Sequence, residues 1–231
     1  MTRMLLLLFS LAFAWNPSPA FASDPPVADG LTAPDRFTLI GPESFVTGSP
    51  AVNPDGTINA VIEIPAGTTA KWEVGEDGVL RWEIENGKPR VVEYLGYPVN
   101  YGMVPRTRLP QELGGDGDPL DILVLGRAMA RGSVIRVRVV GVLEMLDGGE
   151  QDDKLLAVRE GSVLADVSSL DELTSELPGI TEIVETWFSN YKGPGKMDSR
   201  GFAGVDRAHE ILGAASRAYD RAHAAETAPD R

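Results

Sequence analysis

Three carboxylates fall within six residues in Asp116-Gly117-Asp118-Pro119-Leu120-Asp121. Like charges this close repel one another unless a cation sits between them. Hard oxygen donors suit Mg²⁺, Mn²⁺ or Ca²⁺. Asp116 and Asp118 are two apart, so in an extended segment they project to the same side. The turn and Pro119 redirect the chain before Asp121 enters the apolar run Ile122-Leu123-Val124-Leu125. Three carboxylates can then surround one cavity from a rigid strand end. The plainer reading is an acidic turn facing solvent. An EF-hand fits poorly: its twelve-residue loop needs a central glycine and a closing glutamate, and here apolar residues stand where that loop should continue.

A second acidic group follows another apolar run. Asp147 ends the segment 142–146, Gly148 and Gly149 turn the chain, and Asp152-Asp153-Lys154 comes next. Asp147 and Asp152 can reach the same cavity from a hairpin, although such a pair alone is more often a solvated turn. Glu63 and Glu73 lie in strand-like segments, where glutamates commonly face water. Lys71, Arg90, Lys154, Lys192 and Lys196 lie at element ends. Such groups neutralise phosphate oxygens, Arg bidentately, although each alone reads as a surface cation. Tyr97, Tyr101 and Tyr191 read as core or rim aromatics whose hydroxyls can donate to phosphate.

The elements that position these groups change period along the chain. Residues 61–65 are strand-like and closed by Pro65. Residues 69–74 alternate, and 79–84 return after a turn at 75–78. Asn86-Gly87 is a strong turn signal. Residues 122–125 and 134–142 are further strands; in the latter Ile135, Val137 and Val139 alternate with Arg136 and Arg138, a half-buried antiparallel pattern. Ser169 followed by Glu172 predicts a capped short helix. Ile180, Ile183, Val184, Trp187, Phe188 and Tyr191 share one helical face. A last helix over 205–218 turns Ala208, Ile211, Leu212 and Ala215 inward. Short strands before packed helices indicate a small barrel or curled sheet with helices against it.

Composition narrows the chemistry. The chain has no cysteine, so neither disulfides nor thiolates are used, and His209 and His223 lack a zinc-site pattern. A net charge of -13 opposes nonspecific nucleic-acid binding. Arg3, the apolar run 4–14, the breaks at Pro17 and Pro19, and Ala20-Phe21-Ala22 together read as a secretory leader with a small-x-small cleavage site. The run is short for a span of about 20 residues. We therefore divide the chain into a cleavable leader (1–22), a linker and irregular arm (23–58), a catalytic domain (59–221) and a flexible tail (222–231). Export points to the periplasm, or to an organellar lumen in a photosynthetic source, without stable membrane insertion after cleavage.

In this order, the motifs resemble those of the soluble, Mg²⁺-dependent inorganic pyrophosphatases. The family signature D-[GN]-D-P-[ILVM]-D is met in full by residues 116–121. Val61-Ile62-Glu63-Ile64-Pro65 is similar to the family's first core strand, and Lys71-Trp72-Glu73 to its K-[YLW]-E strand. Tyr97-Pro98-Val99-Asn100-Tyr101-Gly102 is similar to its Y-P-x-N-Y-G segment. Asp147-x4-Asp152-x-Lys154 and Tyr191-Lys192 complete the series.

The resemblance implies an α+β or mainly β fold, a small OB-like closed β-barrel with two or three packed C-terminal helices. It implies Mg²⁺ as cofactor, with Mn²⁺ as a substitute, and inorganic pyrophosphate as substrate. Asp116, Asp121, Asp147 and Asp152 would be metal ligands, with Glu63 and Glu73 acting through bound water or an additional metal. Asp118 would activate the attacking water in direct in-line hydrolysis without a phosphoenzyme. Lys71, Arg90, Tyr101, Lys154, Tyr191 and Lys192 would contact phosphate, with Tyr97 beside them. The stretch between Arg90 and Tyr97 is one residue shorter than the family pattern, which makes Arg81 the fallback. The family implies a homo-oligomer, and Trp187-Phe188 with residues 193–196 resemble its dimeric rather than its hexameric branch. Two rivals stand beside this reading: a metal-dependent phosphohydrolase acting on nucleotides or short polyphosphates, and a silent metal-binding module. Retention of Asp118 argues against silence.

N-terminal sequencing of protein recovered from the native host is expected to start at Ser23. A chain that starts at Met1 in the cytosol contradicts export.

Overall fold

The structure, a computed structural model, describes residues 25–226. The leader reading, with its cleavage site, lies outside the described residues. In chain order the strands are β1 (Thr32–Asp35), β2 (Thr38–Ile40), β3 (Ile58–Ile64), β4 (Trp72–Val74), β5 (Leu80–Trp82), β6 (Ile84–Glu85), β7 (Lys88–Pro89), β8 (Asn100–Met103), β9 (Asp121–Leu125), β10 (Val134–Asp147), β11 (Glu150–Gln151), β12 (Lys154–Arg159) and β13 (Met197–Ala203). The helices are α1 (Leu170–Glu176), α2 (Ile180–Asn190) and α3 (Val205–Glu226).

Strands β10, β12, β9, β8 and β3 are hydrogen-bonded in that order, and β3 pairs back onto β10. The ring is therefore closed and has no free edge. Within it β9 and β12 run parallel, whereas the other pairs are antiparallel. β10 is 14 residues long. Its first part pairs with β3 and β12, and its last part leaves the ring to pair with β11 and β13. A second sheet, in the order β1-β2-β5-β4, packs Leu39, Trp72, Val74 and Leu80 against Val61 and Met103 of the ring.

Why the strands carry unbroken apolar runs follows from what covers them. Ile122 and Val124 of β9 cluster with Ala208, Ile211, Leu212 and Ala215 of α3. Leu123 and Leu125 cluster with Val184, Trp187 and Phe188 of α2. Both faces are dry, so alternation disappears, and each such side chain contributes roughly 1.5–3 kcal/mol by leaving water. The cap of α1 forms as read: Ser169 Oγ accepts from the Glu172 amide at 3.2 Å. The Glu172 carboxylate turns back one residue further than a capping box requires, to the Ser168 amide at 2.7 Å.

Several elements differ from the sequence reading. The arm carries β1 and β2, whose short and largely exposed residues leave no periodic trace. The strand read over 79–84 is divided into β5 and β6, and a left-handed Asn86-Gly87 turn (φ 51° and 75°) closes the β6–β7 hairpin. Ile183 is 57% exposed, so it lies off the apolar face of α2. The last helix runs to Glu226 instead of ending at 218.

The Tyr97–Gly102 motif owes two residues to architecture. Asn100 is fully buried. Its Oδ1 accepts from the Ala66 and Met129 amides at 3.1 and 2.8 Å, and its Nδ2 donates to the Val124 and Arg127 carbonyls at 3.1 and 3.0 Å. All four hydrogen-bonding positions of the amide are used. Gly102 lets β8 approach β3: a Cβ there would stand 1.8 Å from the Val61 carbonyl oxygen. Gly102→Ala must push the two strands apart and is expected to cost at least about 1–3 kcal/mol. Thermal melting checks this; an unchanged midpoint contradicts the close approach.

Candidate functional site

The site is built at one end of the ring. The parallel pairing of β9 with β12 sets Asp121 beside Lys154, each the first residue of its strand. Asp116 and Asp118 precede β9, Asp152 precedes β12, and Asp147 ends β10. β8 pairs Met103 with Asp121, and Tyr101 on the same strand reaches the Asp121 carboxylate. Glu63 comes from β3 and Glu73 from β4. These groups line one cavity of about 870 Å³ with Lys71, Arg81, Arg90, Lys154, Tyr191 and Lys192. Asp116 Oδ1 accepts from the Asp118 amide at 2.8 Å, which folds the motif into a tight turn around Gly117 (φ 92°).

Lysines occupy many of the carboxylate oxygens. Lys154 Nζ donates to Asp121 Oδ2 at 2.6 Å and to Asp152 Oδ1 at 2.8 Å. Tyr101 Oη donates to the same Asp121 oxygen at 2.7 Å. Lys71 pairs with Glu73 and Lys192 with Asp147. The ammonium groups of Lys71 and Lys154 stand 5.0 and 5.8 Å from the Tyr101 ring centroid, within cation–π range. Burial works against the Lys154 ammonium, but Asp121 and Asp152 outweigh it and hold its pKa well above the usual value. Burial likewise opposes the Lys71 charge and is outweighed by the acidic groups around it, Tyr97 and Glu73 first. Burial pushes Glu63 well up; its Oε1 accepts from the Val74 amide at 2.6 Å. Asp118 is raised by burial and then by the negative charge of Asp116, Glu73 and Asp121. Asp152 is raised by burial, and Lys154 offsets part of that.

Thirteen of the fourteen residues to which the family resemblance gives a role line the cavity; Tyr97 does not, and Lys196 lies in a neighbouring cavity. Tyr97 is 1% exposed and packs on Tyr101, Trp187 and Phe188 with centroid separations of 5.4, 4.4 and 6.1 Å. Its part is to back Tyr101. Arg90 and its fallback Arg81 both reach the cavity. Arg90 Nη1 donates to both Glu83 oxygens at 2.9 and 2.8 Å, while Arg81 is held bidentately by Asp77 at 2.8 and 2.7 Å. Arg108, Tyr219 and His223 also line the cavity. The sequence holds no signal for Arg108, a loop arginine two residues after Arg106, and the helix expected over 205–218 stops before Tyr219.

The donor set fits a hard divalent cation. Among the described residues no three acidic or histidine side chains stand close enough to share one metal ion; Lys154 and Lys192 bind oxygens of Asp121, Asp152 and Asp147. Yet Asp118 and Asp152 carry negative charge against a burial penalty that neighbouring carboxylates add to. Cations relieve that strain, and carboxylate oxygens are the ligands Mg²⁺-like ions take.

Residues 60–220 match the model of a family described as inorganic pyrophosphatase. An inorganic pyrophosphatase of Mesorhizobium japonicum is 39% identical over 162 residues, which cover 67% of this chain and 82% of that protein. The mitochondrial inorganic pyrophosphatase of Saccharomyces cerevisiae is 32% identical over 169 residues, covering 64% of this chain and 54% of that protein. The chain spans about half the length of this and other eukaryotic relatives. The structure of inorganic pyrophosphatase from Schistosoma japonicum superposes with a TM-score of 0.75 at 25% identity, covering 80% of this chain and 75% of that one.

Proposed function

The chain belongs to the inorganic pyrophosphatase family, and from that premise we propose that it hydrolyses inorganic pyrophosphate to two phosphates. The observation that carries the reading is the convergence of Asp116, Asp118, Asp121, Asp147 and Asp152 with Lys71, Arg90, Lys154 and Lys192 on one cavity. Acids alone would reject a polyanion, and bases alone would not activate water.

Each residue has a part that its surroundings support. Asp116, Asp121, Asp147 and Asp152 would hold Mg²⁺, or Mn²⁺ in its place, with Glu63 and Glu73 behind them. Bound there, the metal supplies positive charge and acidifies water. Asp118 accepts the proton of the attacking water; its raised pKa moves it toward the range useful to a base. Lys154 has three N–H groups and spends two on Asp121 and Asp152, which leaves one for a phosphate oxygen. Lys71, Arg90 and Lys192 turn from their carboxylates to the phosphates. Tyr101 and Tyr191 donate hydroxyls, and burial keeps both protonated. Held by these groups, the substrate needs no covalent link to the protein; position and charge supply the acceleration.

A second reading, action on short polyphosphates or nucleotides, draws on a neighbouring cavity of about 860 Å³. It shares Arg90, Asp147, Tyr191 and Lys192 and adds Lys88 and Lys196. We also propose export to the periplasm, on the leader residues, and a homo-oligomeric state. For the latter, Trp187 and Phe188 offer no docking face, since they are 4% and 0% exposed in the chain's own core. Among the described residues no helix is long and apolar enough to cross a membrane. A single sedimentation-equilibrium mass equal to one chain contradicts the oligomer.

Phosphate release by purified protein tests the activity. With Mg²⁺, turnover on pyrophosphate is expected to exceed that on tripolyphosphate and ATP, and a chelator is expected to remove it. Asp118→Asn is expected to keep metal affinity and lose roughly 10²–10⁴-fold in kcat. Asp121→Asn is expected to weaken metal affinity first. Wild-type turnover in Asp118→Asn across pH would remove it as the base; turnover favouring ATP would favour the second reading.

A further inference from the structure

One basic group in the cavity is unaccounted for. Lys71, Arg81, Arg90, Lys154 and Lys192 each meet a carboxylate. Arg108 lines the same cavity and forms no ion pair with any described residue.

Arg108 is placed by a rigid frame. Its amide donates to the Ala215 carbonyl of α3 at 3.0 Å, and the next amide, Leu109, donates to the Asp118 carbonyl at 2.7 Å. Thr107 Oγ1 accepts from the Leu120 amide at 2.9 Å. The segment around Arg108 is thus tied on both sides to residues 118–120, which lead into β9. The guanidinium itself lies over Gly117: a Cβ there would stand 3.4 Å from both Nε and Nη2 of Arg108. The glycine between the two aspartates leaves the room the guanidinium occupies. The guanidinium is half-buried and meets no carboxylate of a described residue at ion-pair distance, so its donors face the cavity without a fixed partner. Its planar fork matches phosphate oxygens bidentately.

We propose that Arg108 is a substrate-binding residue that grips a phosphate group of pyrophosphate from the Asp118 side of the cavity. The lysines gather instead around Tyr101 and Tyr191, so the substrate is held from two walls. This rests on the pyrophosphatase reading. It adds a phosphate contact that the motifs do not contain, from the segment between β8 and β9.

The test compares wild type, Arg108→Gln and Arg108→Lys. Steady-state phosphate release and calorimetric titration with imidodiphosphate, a non-hydrolysed analogue, are both measured in Mg²⁺. Because the side chain makes no hydrogen bond within the fold, the melting midpoint of Arg108→Gln is expected within about 2 °C of wild type. Its KM for pyrophosphate and its Kd for imidodiphosphate are expected to rise together, roughly ten- to a hundredfold. Mg²⁺ activation is expected to be unchanged and kcat less affected than KM, with Arg108→Lys recovering part of the affinity. Wild-type KM and Kd in Arg108→Gln overturn the assignment, as does a loss explained by a lowered melting midpoint. If wild type binds imidodiphosphate but does not turn over pyrophosphate, the hydrolysis reading fails, and the titration still decides for or against Arg108. If wild type neither binds nor hydrolyses, both fall.

Discussion

The ammonium of Lys154 is held almost wholly out of water, with its side chain 2% exposed, between Asp121 and Asp152. This triad is the constraint on which the site depends. Moving each ion from water costs several kcal/mol even after relaxation, and good geometry with further hydrogen bonds is needed to offset it. Tyr101 supplies one such bond to Asp121. The triad still carries one more negative charge than positive. Asp116, Asp118 and Asp147 around the same cavity add to the excess. The protein has thus concentrated negative charge on rigid strand ends, with just enough positive charge to fold around it. That leaves a demand that divalent cations and the basic groups bound to them can meet.

The barrel exists in the form that makes the triad possible. Antiparallel strands joined by a hairpin would place Asp121 and Lys154 at opposite ends of the sheet. Here β9 and β12 are parallel neighbours, with the intervening β10 paired antiparallel on the far side of β12, and both strand starts fall at the same end of the ring. The long β10 then leaves the ring and carries Asp147 to the cavity, paired with β13 at Met197. Behind the site, Tyr97, Trp187 and Phe188 fix Tyr101 by packing. α3 fixes the motif loop through the Ala215–Arg108 backbone bond and an exposed Arg221–Glu112 pair at 2.5 Å. Exposed pairs contribute little, so the backbone bond matters more.

What the sequence made legible was chemistry with a short-range signature. The three motif aspartates, the Ser169 cap, the Asn86-Gly87 turn and the inward face of α3 were read from residues a few positions apart. Long-range facts left weaker traces. β12 reads as a plain apolar run, so nothing local says that it pairs parallel to β9. β13, Met-Asp-Ser-Arg-Gly-Phe-Ala, is mostly half-buried and carries too few apolar residues to read as a strand. Tyr97 and Tyr101 look alike in sequence, yet one packs the core and the other lines the cavity. Arg108 is chemically ordinary until the loop is folded over Gly117.

The central claim, that Lys154 neutralises buried carboxylates whose other natural partner is a divalent cation, is tested most directly by melting Lys154→Met with a chelator and with Mg²⁺. Methionine keeps most of the volume and removes the charge. Without metal the account predicts a midpoint lowered by on the order of 10 °C, as buried carboxylates lose their partner. With Mg²⁺ it predicts that much of the loss is recovered, by more than Mg²⁺ raises the wild type. An equal loss in both conditions, or none in either, would contradict it.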